Sequence, residues 1–145
     1  MIQRNTIKTP TEHEEQVALM MWAQFKLPEE MKDLLFAIPN GGIRTPKNGK
    51  TLKKEGVKKG VPDLFFAYPN GVFHGLFIEM KRRDPALSKV SKEQSEMISR
   101  LEARGYAANI CYGCLNAIET IQRYINMDKK SQEHLKVFAK RENQS

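Results

Sequence analysis

Only two cysteines occur in the 145 residues, in the run Cys111-Tyr112-Gly113-Cys114, and the three histidines His13, His74 and His134 are scattered. A zinc site takes about four ligands, commonly two CxxC pairs or their histidine equivalents. This set excludes a zinc-held domain, so the CxxC is read as a structural thiol pair rather than a metal or redox motif. No stretch approaches the roughly 20 apolar residues that cross a bilayer. The N-terminus also lacks the continuous apolar core of a secretory signal. A cytosolic, reducing location with no membrane partner is the expectation, and no internal repeat is visible.

What is abundant is positive charge. Lysine and arginine outnumber aspartate and glutamate by 24 to 17, a formal charge of +7 with a pI near 9.5. Cationic side chains that neutralise phosphates release condensed counterions, so the balance favours a nucleic acid partner. Composition does not by itself separate such a surface from a solvated basic face. The 40% hydrophobic and 28% charged content is that of an ordinary globular chain, and the length suits one domain.

Thr9-Pro10-Thr11-Glu12 offers an N-cap, a proline at N1 and an acidic residue at N3. A helix is predicted from there through Val17, Met20, Met21 and Gln24 to the Leu27-Pro28 break, with Glu12, Gln16 and Ala23 along one side. Leu34 to Ile38 reads as a strand entering the turn Pro39-Asn40-Gly41-Gly42. From Ile43 to Gly60 no periodicity appears, and the stretch, rich in lysine, is predicted to be a basic loop with at most a helical turn. Asp63–Tyr68 and Gly75–Lys81 are predicted strands, paired antiparallel through Pro69-Asn70-Gly71. Ser91-Lys92-Glu93-Gln94 has the form of a capping box, opening a helix with Met97, Ile98 and Leu101 inward and Gly105 at its end. A strand over Tyr106–Cys111 and a helix lined by Leu115, Ile118, Ile121 and Ile125 complete the order α-β-β-β-α-β-α. This implies an α/β domain over residues 9–126, a mixed sheet of about four strands flanked by helices. Residues 127–145 are expected to be a polar tail or short helix.

The chemistry concentrates in Leu76-Phe77-Ile78-Glu79-Met80-Lys81. The strand period of two sets Leu76, Ile78 and Met80 on one face and Phe77, Glu79 and Lys81 on the other. An isolated ExK triplet is most often a surface ion pair. Here Asp63 opens the adjacent strand, and the hairpin can set its carboxylate beside that of Glu79. Two such groups repel unless a hard divalent cation joins them, and a lysine at the same point can stabilise charge on a reacting phosphate. The Met80 carbonyl, where the strand splays, is a candidate further oxygen.

Pro62-Asp63, fifteen residues, then Glu79-Met80-Lys81 resembles the PD-(D/E)xK motif of restriction-endonuclease-like nucleases. The surroundings are more specific: Glu12 to Gln16, Pro39-Asn40-Gly41-Gly42-Ile43-Arg44, the run from Leu52 to Asp63, His74 to Lys81, Ser91 with Gln94, and Gly105-Tyr106. Together they resemble the VRR-NUC domain, the virus-type replication-repair nuclease module, in the compact form of phages and prophages. The resemblance implies a restriction-endonuclease-like fold and an endonuclease using Mg²⁺ or Mn²⁺. It implies Asp63, Glu79 and the Met80 carbonyl as metal ligands, Lys81 as the catalytic lysine and Gln94 as a site glutamine. Family spacing selects Glu12, with Gln16, as the early acidic ligand, leaving Glu14 and Glu15 if the register slips. Capping is an equally good explanation of Glu12 beside Thr9 and of Gln94 beside Ser91. Asn40, Gly41, Gly42, Arg44, Lys53, Lys58 and Lys59 are the expected DNA contacts; His74 and Trp22 are expected to pack. Relatives often carry glycine soon after the lysine, where this chain has Arg82-Arg83-Asp84.

The resemblance further implies a homodimer acting on Holliday junctions or other branched DNA. Two other readings remain: a sequence-specific restriction-type nuclease, for which the chain leaves little room to read bases, and a DNA-binding module without turnover.

Overall fold

The computed structural model describes residues 7–39 and 46–127. Helix α1 (Glu12–Lys26) and a short α2 (Glu29–Lys32) lead into strand β1 (Leu35–Ala37). Helix α3 (Pro46–Lys54) precedes β2 (Leu64–Phe66) and β3 (Leu76–Lys81), and a 3₁₀ turn over Pro85–Leu87 leads to α4 (Lys92–Glu102) and β4 (Ala107–Tyr112). A last helix, α5, runs over residues 114–127. The four strands form one mixed sheet in the order β1-β2-β3-β4.

The β1–β2 and β2–β3 pairs are antiparallel, and β3–β4 is parallel. A parallel pair needs a crossover, and α4 supplies it. Between β2 and β3 the Pro-Asn-Gly turn is held by buried Asn70, whose Oδ1 accepts the Val72 and Phe73 amides at 2.9 and 2.8 Å. Its Nδ2 donates to the Tyr124 carbonyl at 2.8 Å, tying the turn to α5.

Leu64, Phe66, Leu76, Ile78, Met80 and Cys111 form one side of the core. Leu19 and Ala23 of α1, Leu27, Met31, and Ala117, Ile121 and Tyr124 of α5 cover them. Each large side chain removed from water there contributes about 1.5–3 kcal/mol. The opposite face carries an aromatic ladder: Phe65 stacks on Phe77 at 4.3 Å and meets Phe36 edge-on at 5.7 Å. Glu79 and Lys81 share the face of Phe77.

Several local expectations shift. The N-cap of α1 is Thr11 rather than Thr9, with Glu14 closing the box: the Thr11 amide donates to Glu14 Oε2 at 2.7 Å, and Thr11 Oγ1 accepts the Glu14 amide at 3.2 Å. Two T-x-x-E boxes overlap in this sequence, and the second is the one that forms. Arg82 takes the Thr9 and Pro10 carbonyls, holding those residues outside the helix. The buried residues of α1 are Glu15, Leu19 and Ala23, so of the expected Glu12, Gln16 and Ala23 side only Ala23 is buried, and Val17 and Met21 are exposed. The basic stretch expected as a loop contains the nine-residue α3. Leu52 is its one aliphatic residue, too few for a periodic signal, while Pro46 sits favourably in its first turn. In α5 Ile121 is buried with Ala117 and Tyr124, and Ile118 and Ile125 pack against the core as expected, but Leu115 is 77% exposed because it falls off that stripe.

The thiols are free, Cys111 buried and Cys114 partly so. Burial pushes both thiol pKa values up, which suits packing rather than reactivity.

Candidate active site

Extending the β2–β3 register by two residues from Phe65↔Phe77 sets Asp63 across from Glu79. Each carboxyl group acts on the other's proton affinity, as neighbouring acids do. Asp63 Oδ2 also accepts the Met80 amide at 2.7 Å. Amides of β4 and its neighbour Gly113 bond to the carbonyls of Gly75 and Lys81. By alternation the Met80 amide and carbonyl face the β2 side, beyond the last β2 pair.

Glu79 and Lys81 are each only 4% exposed, which sets aside a solvated surface pair. Lys81 Nζ stands 3.5 Å from Glu79 Oε1 and donates to Gln94 Oε1 at 3.1 Å. Gln94 Nε2 donates in turn to Glu79 Oε1 at 2.5 Å. The capping box of α4 is nonetheless complete: Gln94 Oε1 accepts the Ser91 amide at 2.9 Å, and Ser91 Oγ accepts the Gln94 amide at 3.1 Å. One amide side chain thus caps its helix and bonds both charged groups of β3, so the two readings of Gln94 do not exclude each other.

A cleft of about 390 Å³ opens over this cluster, lined by Glu12, Lys58, Lys59, Gly60, Asp63, Glu79 and Gln94 among others. Gly60 has φ +83, and a Cβ there would collide with the Glu93 carbonyl. Glycine lets the Gly60 backbone lie against the start of α4, with Lys58 and Lys59 among the cleft-lining residues. Lys53 lines a neighbouring hollow together with Lys58 and Lys59. Asn40, Gly41, Gly42 and Arg44 lie outside the described residues.

Of the three early glutamates, Glu12 is the one lining the cleft. Glu14 is consumed by the cap. Glu15 is buried, taking Arg83 Nε and Nη2 at 2.7 Å on one oxygen and the Cys114 amide on the other. Among the described residues no three His, Cys, Asp or Glu side chains converge into a ready-made ion cage. Glu12 Oε1 instead accepts a hydrogen bond from Ser88 Oγ at 3.0 Å, a contact the sequence reading missed and no local pattern announces.

A family model for the VRR-NUC domain matches residues 1–115. The chain belongs to the VRR-NUC domain family. A solved structure titled "VRR_NUC domain protein" is similar at 33% identity and TM-score 0.71, covering 82% of this chain and 91% of that one. No curated protein matches the chain. VRR-NUC is a nuclease domain of the PD-(D/E)xK type, and the mixed sheet with flanking helices is its architecture. After Lys81, Arg82 and Arg83 of this VRR-NUC chain make intramolecular bonds to the residues preceding α1 and to Glu15.

The donor set fits a hard cation: two neighbouring carboxylates, a third on the cleft wall and a carbonyl on the same side, all oxygen. Burial, then the Asp63 charge, pushes the Glu79 carboxyl up to about 7, and burial also raises Asp63. Folding without an ion thus binds a proton that the unfolded chain releases near 4.5. Between those values the folded state holds more protons, so stability falls as pH rises. In EDTA, the thermal stability of the wild type relative to Glu79→Gln is expected to decline from pH 4.5 to about 7. Excess Mn²⁺ should reverse the trend, because deprotonated carboxylates bind it; parallel curves for the two proteins in EDTA would contradict the proton on Glu79.

Proposed function

We propose that this chain is a Mg²⁺- or Mn²⁺-dependent endonuclease that hydrolyses phosphodiester bonds in branched DNA, four-way junctions in particular. The observation that supports the chemistry best is the juxtaposition of Asp63 and Glu79 across two paired strands, with buried Lys81 beside them under a lysine-rimmed cleft. Asp63, Glu79 and the Met80 carbonyl hold the ion in this reading, with Glu12 completing the set. A divalent ion so bound supplies charge to polarise the phosphate and a water molecule acidic enough to attack it. Lys81, aimed by Gln94, presents a fixed positive charge where negative charge develops on the phosphate. Lys53, Lys58 and Lys59, together with Asn40, Gly41, Gly42 and Arg44, contact the DNA backbone. The domain of residues 9–126 carries the site, and a homodimer with two such sites matches the two-fold character of a four-way junction. The branched substrate, the dimer and a cytosolic setting rest on the resemblance and composition rather than on site geometry.

The test incubates the full chain with a four-way junction, a flap, single strand and plain duplex, each in Mg²⁺, Mn²⁺, Ca²⁺ or EDTA. Cleavage of branched DNA in Mg²⁺ or Mn²⁺, and none in EDTA, is the expected result. Discrete fragments from plain duplex would favour a sequence-specific nuclease. Binding that is equal with and without metal, and never followed by cleavage, would make the chain a binding module.

A further inference from the structure

Three consecutive residues at the end of β3 do different work. Lys81 is buried and donates to Gln94, while Arg82 and Arg83 turn back to the start of α1. Arg82 is engaged at both ends. Its guanidinium donates from Nε to the Pro10 carbonyl at 3.0 Å and from Nη2 to the Thr9 carbonyl at 2.9 Å. Its amide donates to Ser88 Oγ at 3.1 Å, and Ser88 Oγ donates to Glu12 Oε1 at 3.0 Å. These bonds close a ring from the residue after Lys81, through Ser88 to Glu12, back along the chain to Thr9 and Pro10.

A hydroxyl has one proton to give. With the Arg82 amide donating to its oxygen, the Ser88 hydroxyl is left to aim that proton at the carboxylate. Ser88 is itself fixed at the end of the 3₁₀ turn, which Asp84 caps by accepting the Ala86 amide at 3.0 Å. Glu12 is an exposed glutamate with several rotatable bonds, and such a side chain costs entropy to hold still. One oxygen is pinned by Ser88; the other stays available on the cleft wall.

We infer that Ser88, backed by Arg82, is a positioning residue that presents Glu12 to a divalent ion held by Asp63 and Glu79. This rests on the proposed metal site. The clamp acts through Glu12 alone, so its effect disappears when Glu12 is removed.

Mn²⁺ binding by the full chain, without DNA, tests this by calorimetric titration of wild type, Ser88→Ala, Ser88→Thr, Glu12→Ala, the Glu12→Ala/Ser88→Ala double variant and Asp63→Ala. Loss of an outer hydrogen-bond partner typically weakens metal affinity about tenfold or more, and about tenfold is expected for Ser88→Ala. Ser88→Thr keeps the hydroxyl on an extended backbone that accepts β-branching, and should bind as wild type does. The double variant should match Glu12→Ala, since a residue acting through another adds nothing once that other is gone. Wild-type affinity in Ser88→Ala, or fully additive losses in the double variant, would overturn the clamp. Absence of Mn²⁺ binding by wild type, or undiminished binding by Asp63→Ala, would instead overturn the metal site on which it rests.

Discussion

Asp63→Ala and Glu79→Gln are expected to lower single-turnover cleavage by about 10³-fold or more, and Lys81→Ala by about 10²–10³-fold, the cost of removing a fixed charge-stabilising donor. The carboxylates are the larger effect because in the proposed site they hold the ion itself, and both line the cleft. Glutamine is the better replacement at 79. It fills nearly the same volume and keeps an oxygen that can accept from Lys81 and Gln94, whereas alanine would leave both without an acceptor there. DNA binding should survive in all three, because the lysines that supply affinity lie on the rim rather than in the pair. Gel shifts in Ca²⁺ alongside cleavage assays in Mg²⁺ separate the two effects. Cleavage at the wild-type rate in any one variant would refute that residue's assignment.

The second large effect is electrostatic. A protein making several phosphate contacts loses orders of magnitude in affinity between about 50 and 200 mM salt, because each contact releases counterions that added salt discourages. Lys58→Ala and Lys59→Ala are each expected to reduce the slope of log affinity against log salt by about one. Arg83→Ala serves as the contrast. Its guanidinium is paired with buried Glu15, so its loss should register in thermal stability and leave the salt slope alone. A slope that changes with Arg83 and not with Lys58 or Lys59 would move the DNA interface away from this cleft.

How far the sequence carried the account depends on how local each signal is. The period of two along β3, the Pro69-Asn70-Gly71 turn and the Ser91 box are short-range patterns, and they place Glu79, Lys81, Asp63 and Gln94 around one point. The first three strands are shorter than expected, β2 ending at Phe66 and not Tyr68. What was illegible is long-range. Thr9 and Thr11 both head a T-x-x-E box, and nothing local announces that Arg82, more than 70 residues away, bonds the Thr9 and Pro10 carbonyls. Glu15 carries the charge most readily mistaken for a surface residue, yet Arg83 and the first amide of α5 bury it. Ser88 belongs to no motif; its role exists only because the strand end and α1 meet there. Gln94 looked like a choice between a cap and a site residue, and the geometry shows that one side chain can satisfy both sets of bonds.

Anomalous scattering from crystals of the full chain soaked in Mn²⁺ addresses the core of the account directly. An ion is predicted between Asp63 and Glu79, about 2 Å from an oxygen of each. A well-occupied ion bound elsewhere on the chain, with these two carboxylates empty, would contradict it.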